Sequence, residues 1–407
     1  MKTTQRISPL IGPALVAGVA YLDPGNVASN MTAGAKYGFL LVWVVIAANA
    51  IAWLVQYLSA KLGLATGRSL TEHIGSSIRS RGARISFWLQ AEVAAMATDI
   101  AEIIGGAIAL NLLFGLPLFV GGAITGVVSL AILMLHNRVS IRAFERAIIT
   151  LLVIIAVGFV VALVVNSPDF GQVATGVVPR FDGTDSVLLA ASIVGATVMP
   201  HAIYAHSALV RDRFVGMPAT ARPSALRATR VDVTLALATA GIINLVMLIV
   251  GAANLAPLVA NGATPDLADI YAALTASLGT VIATLFALSL LASGLASSSV
   301  ASYAGADIMH GLIRVSIPLW VRRTVTLIPA LLLLALGANP VWMLVLSQVV
   351  LSFAIPLALV PLIRFTSNTA TMGTLTNSRL TTSAAVAAAV LLIALNACLV
   401  VLLITGS

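Results

Sequence analysis

The stretch Asp23-Pro24-Gly25-Asn26 interrupts the first long apolar run of the sequence, and a second stretch, GATVMPH at residues 195–201, interrupts the sixth. Each run is long enough for a membrane-spanning helix, which needs about 20 mostly apolar residues. Proline removes a backbone donor and clashes with the preceding turn, and glycine loosens the backbone further. These features predict two membrane-spanning helices that are broken near the middle of the bilayer.

The composition places the chain in a membrane. Hydrophobic residues make up 60% of the 407 residues, charged residues 9%, and the mean hydropathy is +1.06, whereas soluble domains carry about 25% charged residues. The single cysteine, Cys398, excludes an internal disulfide framework and a cysteine-based metal cluster. We attribute the net charge of +8 to basic loops on one membrane face and expect no nucleic-acid partner.

The apolar runs predict an all-α integral membrane protein with eleven spans. Because the links between the spans are short, we expect one transmembrane domain over residues 1–407. The predicted spans are 8–34, 38–62, 85–113, 117–136, 146–166, 186–209, 232–256, 271–300, 322–338, 341–363 and 381–404.

The basic residues predict the orientation of the chain. With the amino terminus in the cytoplasm, every one of the 22 lysines and arginines except Lys36 and Arg180 falls on the cytoplasmic side of the eleven spans. Cytoplasmic loops of membrane proteins carry such an excess. We therefore expect a multi-pass protein with its amino terminus in the cytoplasm and its carboxyl terminus outside it. The compact loops and the alanine-rich composition suggest a bacterial inner (plasma) membrane.

The second break comes five spans after the first, so the two broken helices run in opposite directions. This arrangement predicts a five-plus-five inverted repeat, roughly residues 8–166 and 186–363, with an extra helix at 381–404. In such folds the substrate lies between the two broken helices near the bilayer midplane. The alternative is that each proline only kinks its helix.

Candidate metal ligands lie at both breaks. A charge at the position of Asp23 is costly in a membrane unless it is paired or binds an ion. Asn26 lies about one turn away and offers a carbonyl oxygen, and the break frees backbone carbonyls. The thioether of Met199 would shift the preference of such a site from Ca²⁺ or Mg²⁺ toward transition metals such as Mn²⁺ and Fe²⁺. Taken alone, Met199 could equally be a packing residue.

Three acidic residues predict a proton route. Glu92, Asp99 and Glu102 are spaced by seven and three residues, so they share one face of the third helix. Rows of carboxyl groups inside membranes mark proton relays. Arg322 and Arg323 could be their partners. An interfacial position for Glu92 and a static structural role for the other two remain alternatives.

Other polar residues in apolar spans are weaker candidates. His201 could tune a proton step, because histidine titrates near neutral pH, and Gln348 could supply one more oxygen to the metal. Four further residues are candidates for gating, with interhelical hydrogen bonding as their simpler interpretation: Asn49, Gln56, His206 and Asn244.

These residues resemble a known family. Asp23-Pro24-Gly25-Asn26 together with Met199-Pro200-His201 resembles the Nramp family of proton-coupled divalent metal transporters. Residues 97–102 (ATDIAE) are similar to the family's helix 3 segment, and residues 347–352 (SQVVLS) to its helix 10 segment. The resemblance implies a LeuT-type fold, alternating access, and secondary active import of Mn²⁺ or Fe²⁺ with protons. It implies no enzyme activity, no resident cofactor and no obligate protein partner.

The resemblance also implies roles for individual residues. Asp23, Asn26, Met199 and the Ala196 carbonyl would bind the metal, with Gln348 joining in some states. The residues implied for the proton route are Asp23, Glu102, Asp99, Arg322 and Arg323, with His201 nearby.

Three other functions remain open from the residues alone. A sodium-coupled amino-acid carrier could use the same fold, although an aspartate at the first break would repel a substrate carboxylate. An intramembrane metalloenzyme would need a closed ligand set and a general base, and the five histidines are scattered. A passive channel would not need two broken helices placed in symmetry.

Overall fold

The structure, a computed structural model, describes residues 12–138, 140–259 and 265–405, and this part of the chain contains helices and no strand. Its α-helices are α1 (Pro13–Val19), α2 (Pro24–Tyr37), α3 (Val42–Thr66), α4 (Leu70–Ser77), α5 (Arg81–Phe114), α6 (Leu118–Arg138), α7 (Ile141–Val165), α8 (Phe170–Thr175), α9 (Gly183–Thr197), α10 (Pro200–Arg213), α11 (Arg222–Asn254), α12 (Ala256–Val259), α13 (Leu267–Leu278), α14 (Thr280–Ile313), α15 (Leu319–Ala335), α16 (Pro340–Thr366), α17 (Thr369–Met372) and α18 (Arg379–Thr405).

The helices account for the eleven predicted spans. Within the described ranges, eight segments are by themselves long and apolar enough to cross a membrane, and one of them is the α9–α10 pair. The other three predicted spans coincide with the α1–α2 pair, α6 and α15. Both predicted broken helices therefore occur as pairs of shorter helices. The predicted start of the first span, at residues 8–11, lies outside the described residues.

The predicted eighth span, 271–300, was wrong at both ends. Gly279, with a φ of 89°, separates α13 from α14, and α14 continues to Ile313. The segments on both sides of this glycine are uncharged and mostly apolar, so composition alone did not reveal the break. The seventh span was also predicted too short, because α11 begins at Arg222 and carries its helix past the apolar run into basic residues.

The first break occurs at a single extended residue. Asp23 has φ −67° and ψ 166°, and Pro24 then occupies the first position of α2. The Asp23 side chain caps α2 by accepting a hydrogen bond from the Asn26 backbone N–H at 2.7 Å. Aspartate is a preferred cap, and proline suits the first helical position because it lacks the unpaired N–H.

The second break follows the same pattern. Val198 and Met199 leave the helical conformation, with ψ values of 89° and 123°, and α10 restarts at Pro200. Two consecutive non-helical residues free the carbonyl groups at the end of α9, including that of Ala196. Because the hydrocarbon core contains no water, such carbonyls need hydrogen-bond donors from neighbouring parts of the protein.

Glycines let neighbouring helices approach the broken ones closely. A Cβ on Gly34 of α2 would collide with the Leu248 carbonyl of α11, and one on Gly63 of α3 would collide with the Ser207 carbonyl of α10. A Cβ on Gly105 of α5 would collide with the ring of Pro24. Small residues at such contacts are typical of packed membrane helices. These contacts fix the half-helices around the two breaks.

Candidate metal-transport site

The two breaks meet through Asn26. Its amide nitrogen Nδ2 lies 2.5 Å from Asp23 Oδ1 and 2.9 Å from the carbonyl oxygen of Ala196. Asp23 and Asn26 are 1% and 0% exposed, so the cluster is enclosed by protein. Three of the predicted metal ligands are therefore brought together, and an amide NH₂ group lies between the two oxygens.

Met199 and Gln348 belong to the same region. Met199 is the extended residue that precedes α10, and its side chain is fully buried. The Gln348 side chain of α16 interacts with the Asp23 carboxylate and lies directly against Gly25. All five predicted ligands therefore belong to the two breaks or to the helix packed against the first one.

If Asp23 and Gln348 bind a transported metal ion as the sequence predicts, Gly25→Ala should reduce metal uptake by about 100-fold, because ångström-scale misplacement of binding groups costs about that much. The added Cβ would collide with the Gln348 amide nitrogen and lie 3.1 Å from Asp23 Oδ2. Uptake of ⁵⁴Mn²⁺ into proteoliposomes measures this effect. Gly18→Ala in α1 is the matched control, since its Cβ would meet Ala236 at an ordinary 3.4 Å; equal losses in both variants would contradict the prediction.

Polar side chains satisfy the carbonyls that the first break frees. Asn244 of α11 donates from Nδ2 to the Tyr21 carbonyl at 2.9 Å, and the Ser293 hydroxyl of α14 donates to the Leu22 carbonyl. Asn30 Nδ2 lies 3.2 Å from Asn244 Oδ1. Asn244, a predicted gating residue, thus lies at the break and makes interhelical hydrogen bonds.

Gln56 and His206 form a second chain of contacts next to the first break. Gln56 Nε2 donates to the Tyr21 hydroxyl at 2.5 Å, and Gln56 Oε1 lies 2.7 Å from His206 Nδ1. This chain connects α3, α10 and the turn before Asp23. Asn49 is not part of this chain of contacts, and its side chain packs against Gly241 of α11.

The acidic face of α5 pairs with the two arginines of α15. Arg322 Nη2 lies 2.6 Å from Glu92 Oε1, and Arg323 Nη1 lies 2.5 Å from Asp99 Oδ1. Arg323 also donates to the hydroxyls of Ser129 and Ser298. The sequence predicted these arginines as partners of the acidic residues but did not assign which arginine pairs with which carboxylate.

Glu102 and His201 lie beyond the ion pairs. Glu102 is fully buried, and no lysine or arginine of the described chain lies within salt-bridge distance of it. His201 of α10 is also buried, and its Nδ1 lies 3.3 Å from the Thr98 hydroxyl. Glu102 lies close enough to Asp23 and Asp99 to interact electrostatically with both, and His201 interacts with Asp99.

Sequence reasoning missed a group of charges at the end of the molecule where α10 stops. Arg211 Nη1 lies 2.8 Å from Asp307 Oδ1, and Arg213 Nη1 lies 3.1 Å from Glu145 Oε2. Asp232 accepts hydrogen bonds from the backbone N–H groups before and within α1, those of Gly12 and Ala14. The sequence did contain a signal for this group, because Asp232 and Asp307 are acidic residues in otherwise apolar helices.

The donor set suits a transition metal ion. The described residues contain no group of three or more His, Cys, Asp or Glu side chains able to hold a metal. The candidate set combines one carboxylate with amide and backbone oxygens and one thioether. Hard ions gain little from sulfur, whereas Mn²⁺, Fe²⁺ and heavier ions accept it.

A family model described as "Natural resistance-associated macrophage protein-like", the Nramp family, matches residues 14–402. The chain belongs to the Nramp family. Its curated relatives include the divalent metal cation transporter MntH of Mycobacterium tuberculosis, 54% identical over 98% of this chain and 92% of that protein. MntH of Bacillus subtilis is 46% identical over 97% of this chain and 92% of its own length.

Solved structures agree with this membership. The manganese transporter of Eremococcus coleocola superposes with a TM-score of 0.88 and is 30% identical, over 97% of this Nramp chain and 87% of that chain. A nucleobase-cation-symport-1 family transporter, 19% identical, superposes with a TM-score of 0.61 over 96% of this chain and 91% of its own, which shows the fold alone. The predicted LeuT-type fold is confirmed.

Proposed function

We propose that this Nramp protein imports divalent transition-metal ions, Mn²⁺ or Fe²⁺, into the cytoplasm together with protons. The observation that carries the proposal is the meeting of Asp23, Asn26 and the Ala196 carbonyl where two broken helices face each other, with Met199 at the second break. Relatives named divalent metal cation transporters support the cargo. The protein moves its substrate without changing it, so it is not an enzyme.

Metal binding requires one local change. Asn26 Nδ2 now donates to Asp23 Oδ1 and the Ala196 carbonyl. Turning the carboxamide over would present Oδ1 in place of Nδ2, so that a cation could lie between three oxygens. The Met199 sulfur and the Gln348 oxygen complete the proposed ligand set. Movement of α1 and α10 would then open the site toward the cytoplasm.

The proton route that we propose uses the acidic face of α5. Protons leave Asp23 by way of Glu102, which is buried without a cationic partner among the described residues. They continue past the Asp99–Arg323 pair and reach Glu92 and Arg322, with His201 beside the path. An inward-negative membrane potential favours each entering charge by about 2.3 kcal/mol per 100 mV.

We also propose the predicted orientation in a bacterial inner membrane, with the amino terminus in the cytoplasm. The two basic residues predicted to lie outside, Lys36 and Arg180, each contact a neighbouring segment of the chain. Lys36 Nζ pairs with Asp185 at 3.6 Å, and the Arg180 carbonyl accepts a hydrogen bond from Trp43. Thus the exceptions share one end of the molecule, opposite the arginine-rich end.

Uptake by proteoliposomes tests the proposed cargo and coupling. We expect ⁵⁴Mn²⁺ to enter faster when the outside is acidic, with acidification of the lumen reported by a trapped pH dye. Amino acids in excess should not compete. Uptake that ignored the pH gradient would favour a passive channel, and competition by amino acids would favour the sodium-coupled carrier on the same fold.

A further inference from the structure

A cavity of about 250 Å³ lies between the first turns of α5 and the last turn of α14. Arg81, Arg84 and Trp88 line it from α5, and Leu312 and Ile313 line it from α14. None of these lining residues belongs to the metal site or to the proton route, although Trp88 interacts with Glu92 of that route. It combines two cationic side chains, an indole and an apolar wall.

The two arginines face the cavity without an anionic partner. Arg81, Arg84 and Trp88 are three and four residues apart, so they occupy one face of α5. Neither arginine lies within 4.0 Å of a carboxylate in the described part of the chain. The Arg84 Nε atom is enclosed and has no hydrogen-bond partner there. Two guanidinium groups that share a cavity repel each other, and an anion between them would remove that repulsion.

The cavity lies at a membrane surface. Arg81 begins a span, and tryptophan and arginine are typical residues of the interface between headgroups and hydrocarbon. From this end an exposed apolar ridge follows α5: Ile85 is 38% exposed, Leu89 50% and Val93 52%. In a membrane-spanning helix this ridge faces lipid chains.

The ridge ends at a second, apolar cavity. This cavity has a volume of about 220 Å³ and is lined by Val93, Met96 and Ile100 of α5 with Leu333 and Met343 of the facing helices. Nine residues separate Arg84 from Val93, which lines the near end of this cavity, and nine residues are about 14 Å along a helix. Half of the hydrocarbon core of a bilayer is about 15 Å thick, so an acyl chain anchored at Arg84 can reach this cavity.

We propose that an anionic phospholipid binds at the amino-terminal end of α5. Its phosphate lies between Arg81 and Arg84, and one acyl chain follows Ile85, Leu89 and Val93 into the apolar cavity. Guanidinium groups bind phosphate through paired hydrogen bonds, and the amino terminus of α5 adds a favourable dipole. The proposal rests on the membrane assignment and is independent of the metal cargo, so the two can fail separately.

Native mass spectrometry of the purified protein with added phosphatidylglycerol tests the headgroup site. Each basic residue near a membrane strengthens anionic lipid binding about fivefold, so the double variant Arg81→Gln/Arg84→Gln should bind about 25-fold more weakly. The matched control is Arg227→Gln/Arg230→Gln, which removes an exposed arginine pair of the same spacing from α11. It should bind phosphatidylglycerol like the unmodified protein, and phosphatidylcholine should bind weakly to all three.

Three outcomes would overturn the proposal. Equal weakening in both double variants would show that binding follows total surface charge. Unchanged binding in the Arg81→Gln/Arg84→Gln variant would remove the headgroup site. Displacement of the lipid by glycerol phosphate at similar concentration would indicate a site for free phosphate. Dihexanoyl phosphatidylglycerol, which keeps the headgroup and shortens the chains, should bind more weakly than the long-chain lipid; equal binding would contradict the acyl-chain path.

Discussion

Asp23→Asn should abolish Mn²⁺ uptake while leaving the protein folded. Asparagine has the same shape and is as good a helix cap as aspartate, so α2 should still begin at Pro24. The substitution removes the one charged ligand of the proposed set. Changes in the outer shell of metal sites already cost about 10–100-fold in affinity or activity, so we expect the loss of a direct ligand to exceed 100-fold. Proteoliposome uptake and isothermal titration with Mn²⁺ measure it.

The control for Asp23→Asn is Asp169→Asn. Asp169 also caps a helix, α8, by accepting a hydrogen bond from the Gly171 N–H at 2.8 Å, but it is exposed and far along the chain from both breaks. Its substitution should leave uptake within about twofold, as expected of surface changes within about 0.5 kcal/mol. Wild-type uptake by the Asp23→Asn protein would be incompatible with a metal site at the first break.

Arg323→Gln should destabilise the protein more than any other single change discussed here. Arg323 and Asp99 are 0% and 1% exposed at their side chains and lie 2.5 Å apart. Removing one partner leaves an uncompensated buried charge, which typically costs about 3–5 kcal/mol. We therefore expect a marked fall in the melting temperature of the purified protein, together with loss of proton entry during Mn²⁺ uptake.

A double-mutant cycle separates the ion pair from simple packing. In Asp99→Asn/Arg323→Gln both charges are absent, so much of the stability should return while proton entry stays impaired. Lys36→Gln is the comparison for an exposed pair, because Lys36 and Asp185 lie 3.6 Å apart with side chains 20% and 64% exposed, and such pairs contribute about 0–1 kcal/mol. If the double variant were as unstable as Arg323→Gln, the unpaired buried charge would not be the cause of the instability.

The breaks could be predicted from sequence because their causes are local. Proline follows the extended residue at both positions, Asp23 and Met199, and occupies the first turn of the next helix. The spacing of the charged residues also allowed a prediction. Three acidic residues on one face of α5 and two adjacent arginines indicated that ion pairs form between them. Which arginine meets which carboxylate depends on the rotation of α15 against α5, and sequence spacing does not contain that angle.

Other features depend on contacts between distant segments. The boundary at Gly279 was missed because uncharged, mostly apolar segments flank it on both sides. The partners of Asp232 could not be predicted, because they are the backbone N–H groups of Gly12 and Ala14, which leave no trace in a residue pattern. The orientation of the Asn26 amide toward the Asp23 carboxylate and the Ala196 carbonyl is likewise set by packing between distant segments.

Mn²⁺ uptake by Met199→Ala in the presence of excess Ca²⁺ tests the central claim most directly. Met247→Ala, which shortens another fully buried methionine, in α11, controls for the cavity that the change creates. If the Met199 sulfur binds the cargo, the unmodified protein and Met247→Ala will take up Mn²⁺ despite Ca²⁺, and Met199→Ala will admit Ca²⁺ and lose that discrimination. Discrimination that survives in Met199→Ala would contradict the proposed metal site.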